Sequence, residues 1–148
     1  MLAAQGWART ADAVPAQVCE DLLAAASTAQ WAATTGDGHA LDSASLAAPD
    51  LAAALGASDL RLIRHSPGQS GLPPLAGGRT GLVLDLNSDW SSPHGGLLLF
   101  QDGDRVRGWR PERGSLTLFD GSRPPILSLV TPAARTPRLA VLGVLQDI

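Results

Sequence analysis

Apolar and polar positions along the chain follow two rhythms, which change over near Leu60. After Pro15, the residues Val18, Leu22, Leu23 and Ala26 recur at the three-to-four-residue spacing of one helical face. Pro15 itself suits a first helical turn, where its missing N–H removes no hydrogen bond. A second helical segment is predicted over 45–55, with Leu46, Leu51 and Leu55 on one side and Gly56 as its C-terminal stop. Pro49 divides that segment or starts its second part. Between the two, Thr-Thr-Gly-Asp-Gly-His reads as a loop. From Leu60 onward short apolar runs alternate with turn residues. The predicted strands are 60–63, 81–86, 97–100, 106–109, 115–119, 126–130 and 139–145, and Gln101-Asp102-Gly103-Asp104 is a hairpin turn signal. Seven short strands with Gly and Pro between them imply a sandwich or barrel. Periodicity alone therefore gives an α+β chain, mainly β, with a helical part over about 15–56 and a β part over about 60–146.

Composition narrows the class. The chain has 148 residues, 45% hydrophobic and 17% charged, as a single folded domain spanning 1–148 would. A net charge of −3 supplies no basic field, so no nucleic-acid partner is expected. All eleven cationic residues are arginine; with the abundant Ala, Gly and Pro, this fits a GC-rich bacterial genome. The single Cys19 excludes an internal disulfide and fits a reducing compartment. Its place in an apolar helical pattern makes it a buried structural thiol. The first residues lack the pattern of a signal peptide, and no run approaches the roughly 20 apolar residues of a membrane span. A cytoplasmic protein with no membrane partner is the expectation.

Five strings in the second half carry the chemical information. They are Arg-His-Ser-Pro-Gly from Arg64, Leu-Asp-Leu-Asn-Ser-Asp-Trp from Leu84, Gly-Gly-Leu-Leu-Leu-Phe from Gly95, Arg-Gly-Ser-Leu-Thr-Leu-Phe-Asp from Arg113, and Pro-Arg-Leu-Ala-Val-Leu-Gly-Val from Pro137. In this order they resemble the 2-oxoglutarate/Fe(II) oxygenases of the prolyl-hydroxylase type. That family shows a tyrosine before Pro-Gly, a Tyr-Leu-Asn strand before a tryptophan, a Gly-Gly strand start, a turn into Leu-x-x-Phe and an Arg-led last strand. The resemblance implies a double-stranded β-helix, a cupin-like jelly roll, with the N-terminal helices packed on one face.

The family's chemistry needs two histidines and one carboxylate around an iron that keeps open positions. Its His-x-Asp pair follows the Pro-Gly, and its second His precedes the Arg-led strand. Here neither 69–84 nor 121–146 contains a His, Asp or Glu. One register places Pro74 and Ala76 at the first two ligand positions and Pro125 or Ile126 at the third. None of these side chains can donate a lone pair, so no metal ligand is assigned.

Three residues remain as pocket candidates. Arg138 matches the arginine that in the family grips the far carboxylate of 2-oxoglutarate, a task suited to its planar fork; the bland reading is an arginine flanking a strand. His65 stands in place of the tyrosine before Pro-Gly, and Asp85 replaces the tyrosine of Tyr-Leu-Asn. Asp85 in an apolar strand must face water or find a partner, and by strand register it is the nearest partner for Arg138. Arg135 is a weaker version of Arg138. His94 reads as a solvent-facing loop residue, His39 beside Asp37 as another, and a relocated His39/His65/His94 triad is strained by their separation. Trp7, Trp31, Trp90 and Trp109 read as core packing, Trp7 and Trp31 bracketing the first helix, and Asn87 as a turn cap. Leu72, Leu75 and Leu127 are expected to close over the lost iron site.

The favoured function is a degenerate 2-oxoglutarate/Fe(II) oxygenase-like domain, non-catalytic, that binds a small carboxylic acid or a protein partner and needs no cofactor. One alternative is an active dioxygenase with displaced ligands, using Fe(II) and 2-oxoglutarate. The other is a metal-free acid/base enzyme reusing the pocket through His65 and Asp85.

Overall fold

The computed structural model describes residues 5–36, 39–75 and 79–146. Within these residues ten strands form two antiparallel sheets. The large sheet has the order β1-β8-β5-β10-β4-β3-β2 and the small one β7-β6-β9. In chain order these are β1 (Trp7–Thr10), β2 (Ala32–Gly36), β3 (His39–Ser45), β4 (Ala57–His65), β5 (Thr80–Asp85), β6 (Leu98–Asp102), β7 (Arg105–Trp109), β8 (Leu116–Asp120), β9 (Ile126–Leu127) and β10 (Arg138–Leu145). From β5 onward the chain passes back and forth between the sheets, which is the winding of a jelly roll. A jelly roll ordinarily has eight strands in two sheets. Here the place beside β9 is taken by an irregular segment, whose Gly71 N–H donates to the Leu127 carbonyl at 2.8 Å.

Alternation along each strand of the large sheet separates two cores. The inner face carries Leu41, Ile63, Val83, Phe119, Ala140 and Leu142, which pack against Leu98, Phe100 and Leu127 of the small sheet. The outer face carries Ala44, Leu62, Leu84 and Val141, covered by Cys19, Leu22 and Ala26 of α1 (Ala16–Ser27) and Leu51 of α2 (Pro49–Leu55). The buried positions of α1 follow the predicted apolar stripe. Pro49 occupies the first turn of α2, and Gly56 ends it with φ 63°, a left-handed conformation that glycine adopts without a Cβ clash. No helix among the described residues is long and apolar enough to cross a membrane.

The N-terminal third departs from the sequence-based expectation. The stretch between the helices is two paired strands and not a loop: Thr34, Thr35 and Gly36 lie in β2 and His39 in β3, while Asp37 and Gly38 lie outside the described residues. The second helix starts at Pro49, because Ser45 belongs to β3. Trp7 and Trp31 do flank the first helix in sequence, but Trp7 is part of a strand. It lies in β1 and stacks on Phe100, with Trp109 edge-on at 5.6 Å. The physical reason is shared. Ala, Thr and Ser runs carry weak strand propensity and little apolar contrast, so their state is decided by pairing with a sheet already present. Asp42 and Arg64 fasten β3 to β4 through a 2.8 Å ion pair, with the Arg64 guanidinium 4.5 Å over the Trp31 ring. The predicted strand over 126–130 shortens to Ile126–Leu127, with Val130 making an isolated bridge to Gly95.

Ile63 is fully buried between the sheets, whereas Val106 is 60% exposed. Ile63→Val is therefore expected to lower stability by about 0.5–1.5 kcal/mol. Val106→Ala should stay within about 0.5 kcal/mol of wild type. Urea titration checks both through the midpoint at constant slope.

Candidate functional site

The inner face of the large sheet bears a polar line across five neighbouring strands. Register places Arg138 directly opposite His65, and Asp85 opposite Ala140, one step diagonal to Arg138. Parity fixes their direction: His65 follows Ile63 by two residues, Asp85 follows Val83, and Arg138 precedes Ala140, all inner-face positions. All three are 0% exposed.

A buried carboxylate and a buried guanidinium each need partners, and here they find one another. Arg138 Nη2 donates to Asp85 Oδ1 at 3.1 Å, and Arg138 Nε donates to the Gly96 carbonyl at 2.6 Å. That second bond requires glycine at 96. Its φ is +63°, and an added Cβ would come within 2.9 Å of Arg138 Cδ. The other carboxylate oxygen, Asp85 Oδ2, accepts from Arg9 Nη2 at 2.9 Å and from the Glu112 backbone N–H at 3.3 Å. Arg9 also donates to Thr117 Oγ1 at 2.7 Å and to the Arg110 carbonyl at 3.0 Å. Two arginines and one aspartate leave the cluster a net charge of +1, and Arg138 Nη1 has no hydrogen-bond partner among the described residues. Burial pushes the Arg138 guanidinium below the usual arginine range, and the nearby Asp85 carboxylate opposes that shift. An arginine does not lose its proton in a folded protein, so Arg138 stays cationic. His65 Nε2 lies 2.7 Å from the Gly71 carbonyl; a carbonyl can only accept, so Nε2 carries the proton.

The structure thus brings together His65, Asp85 and Arg138, and adds Arg9 and Thr117, which the sequence reading missed. The only sequence signal for Arg9 was the alternation of Trp-Ala-Arg-Thr, four residues long. Asn87 joins strand ends and does not cap a turn: its Nδ2 donates to the Pro137 carbonyl at 3.0 Å, and its Oδ1 accepts from Leu139 N–H at 2.6 Å. His94 lies in a 3-10 turn (Ser92–His94) and is half-buried, edge-on to Trp90, so it does not simply face solvent. Arg135 is exposed. The side chain of His39 lies outside the described residues.

Fe(II) does not fit the residues present. Among the described residues, no three His, Cys, Asp or Glu side chains gather as a metal would need. Of the positions in register with the family's ligands, Pro74 is exposed, Pro125 is buried, and Ile126 is 65% exposed; Ala76 lies outside the described residues. Leu127 points inward instead, with Leu72 and Leu75 packed against the same core.

Solved structures with the same architecture include a prolyl-4-hydroxylase from Pseudomonas putida, at 20% identity and a TM-score of 0.71 over 97% of this chain and 93% of that one. A prolyl hydroxylase from Trichoplax adhaerens, solved with a hypoxia-inducible-factor peptide, matches at 13% identity and a TM-score of 0.75, covering 96% and 84%. The fold is that of the 2-oxoglutarate/Fe(II) oxygenases. A third match, at 10% identity and a TM-score of 0.69 over 94% and 84%, is an oxidoreductase of the 2OG-Fe(II) oxygenase family from Burkholderia pseudomallei. No family model and no curated protein sequence matches the chain. Across this oxygenase fold the identities are low enough that only the architecture carries over.

Removing one partner of a buried ion pair leaves the other charge uncompensated, at a cost of about 3–5 kcal/mol. Asp85→Ala is expected to destabilise by that amount, since it strands both Arg138 and Arg9. The double variant Asp85→Leu/Arg138→Met, which removes both buried charges, should be the more stable of the two. Chemical denaturation of both variants checks the order.

Proposed function

We propose that this chain is a non-catalytic protein on the oxygenase fold, in which its own aspartate takes the place of a cosubstrate carboxylate on Arg138. One observation carries the reading: Asp85 Oδ1 accepts from Arg138 Nη2 at 3.1 Å with both side chains fully buried. The resemblance assigns Arg138 to gripping the far carboxylate of 2-oxoglutarate, and Asp85 stands where that family has a tyrosine. A tyrosine hydroxyl would leave the guanidinium free for an external carboxylate. An aspartate supplies a carboxylate permanently, as an intramolecular partner that needs no external acid. A 2-oxoacid entering here would meet the negative charge of Asp85 and would have to displace it. The missing iron donors support the same reading, because 2-oxoglutarate would also lack its metal anchor. What remains is a rigid scaffold whose role is binding, to a small acid elsewhere on the fold or to a protein. A cytoplasmic, reducing setting suits its single buried thiol.

The test has two arms. Under anaerobic conditions, Fe(II) or Mn(II), alone or with 2-oxoglutarate, is expected to leave the melting temperature unchanged, and the purified protein should carry far less than one equivalent of iron. A ligand at 100 times its dissociation constant would add about 2.7 kcal/mol. A stabilisation of that size, abolished by chelator, would overturn the proposal in favour of a displaced iron site. In the second arm, acetate should raise the melting temperature of Asp85→Ala, by refilling the vacated carboxylate position, and leave the wild type unaffected. Stabilisation of the wild type by 2-oxoglutarate alone would mean that Arg138 still serves an external acid.

A further inference from the structure

The polar line is closed at its Arg138 end, but further along the inner face, toward the Val144 end of β10, the molecule holds a cavity of about 650 Å³. None of His65, Asp85 or Arg138 lines it. Ligand-binding cavities span about 300–1,000 Å³ and pair apolar walls with a few polar groups. Strand register builds this one. Ser45, Arg61 and Leu142 are direct cross-strand partners on β3, β4 and β10, so their side chains share one face and stand side by side. Leu142 belongs to the inner core, which sets the direction of all three. Leu75 also lines the cavity.

The electrostatics of the cavity are unbalanced. Arg61, Arg79 and Asp59 line it, two cations against one anion, leaving a net charge of +1. Arg79 is tethered, its Nη2 donating to the Leu145 carbonyl at 3.0 Å and to Ser58 Oγ at 3.5 Å. Arg61 is half-buried and makes no hydrogen bond or ion pair with any described residue. A guanidinium drawn partly out of water toward an apolar wall gains most from an anion that accepts two of its N–H groups at once. The single net charge favours a monoanion, because Asp59 would repel a second negative charge.

We propose that this cavity is a binding site for a small organic monoanion, a carboxylate on an apolar body, with Arg61 as its anchor, Ser45 as a flanking hydroxyl and Leu75 and Leu142 as its apolar walls. The site holds whether or not the Arg138 end admits an acid, since the two share no lining residue. Hexanoate is a suitable probe, titrated into the full chain and followed by backbone amide NMR shifts. Saturable shifts are expected at Ser43 to Ser45, Arg61 and Leu142 to Val144. 1-Hexanol, with the same body and no charge, should bind far more weakly, as should inorganic phosphate. Arg61→Gln should weaken hexanoate at least about tenfold, as loss of a charge-assisted hydrogen bond would. The wild-type shift map stands by itself if that variant folds poorly. Absence of saturable shifts, equal affinity in Arg61→Gln, or phosphate outcompeting hexanoate would overturn the assignment. Shifts centred on His65, Asp85 and Arg138 and indifferent to Arg61→Gln would also overturn it, and would separately count against the internal neutralisation of Arg138.

Discussion

Arg138 is the largest of the fully buried side chains, and its charge sits where water cannot reach it. Moving an isolated ion into such surroundings costs several kcal/mol even after relaxation. The strands around it must therefore hold a carboxylate and a carbonyl within reach, and only one register does so. A slip of one residue in β5 would turn Asp85 to the helix-covered face and bring Leu84 or Leu86 inward. The contact thus acts less as a source of stability than as a lock on alignment. The surrounding apolar pairs, Ile63 with Ala140 and Val83 with Leu142, tolerate more imprecision than the charges do.

The same contact links architecture to function. Solved oxygenases share the winding of the sheets with this chain. Leu72, Leu75 and Leu127 pack into the inner core, and an aspartate faces the arginine. The fold persists because its stability comes from two apolar layers, neither of which needs a metal. The winding therefore needs no His, Asp or Glu in 69–84 or 121–146, where this chain has none.

Much of this was legible in the chain because β4 to β10 carry short apolar runs bounded by Gly, Pro and Asp, which in the large sheet mark strands covered on both faces. The resemblance marks His65, Asp85 and Arg138 as pocket candidates, and strand register makes Asp85 the nearest partner for Arg138, whereas the inward direction of Asp85 follows only from the folded strands. The strands β1 to β3 left no such mark. Residues such as Ala33, Thr35 and Ser45 favour neither state, and the large sheet supplies the pairing that decides. Arg9 was illegible for the same reason, since its role depends on β1 docking beside β8. The cavity around Arg61 escaped notice too. It depends on the lateral pairing of three strands, β3, β4 and β10, which no local window contains.

The position of Arg9 in the chain has a kinetic meaning. Its partners Asp85, Arg110 and Thr117 lie 76, 101 and 108 residues downstream. Closing such spans costs chain entropy before any contact repays it, which makes folding by distant pairings slow. During synthesis Arg9 is made before all three of these partners, and β8, on which its strand docks, comes more than a hundred residues later. Asp85 and Arg138 can meet without it, so the strand carrying Arg9 is the natural last piece to settle, closing one edge of the large sheet over an interior already formed.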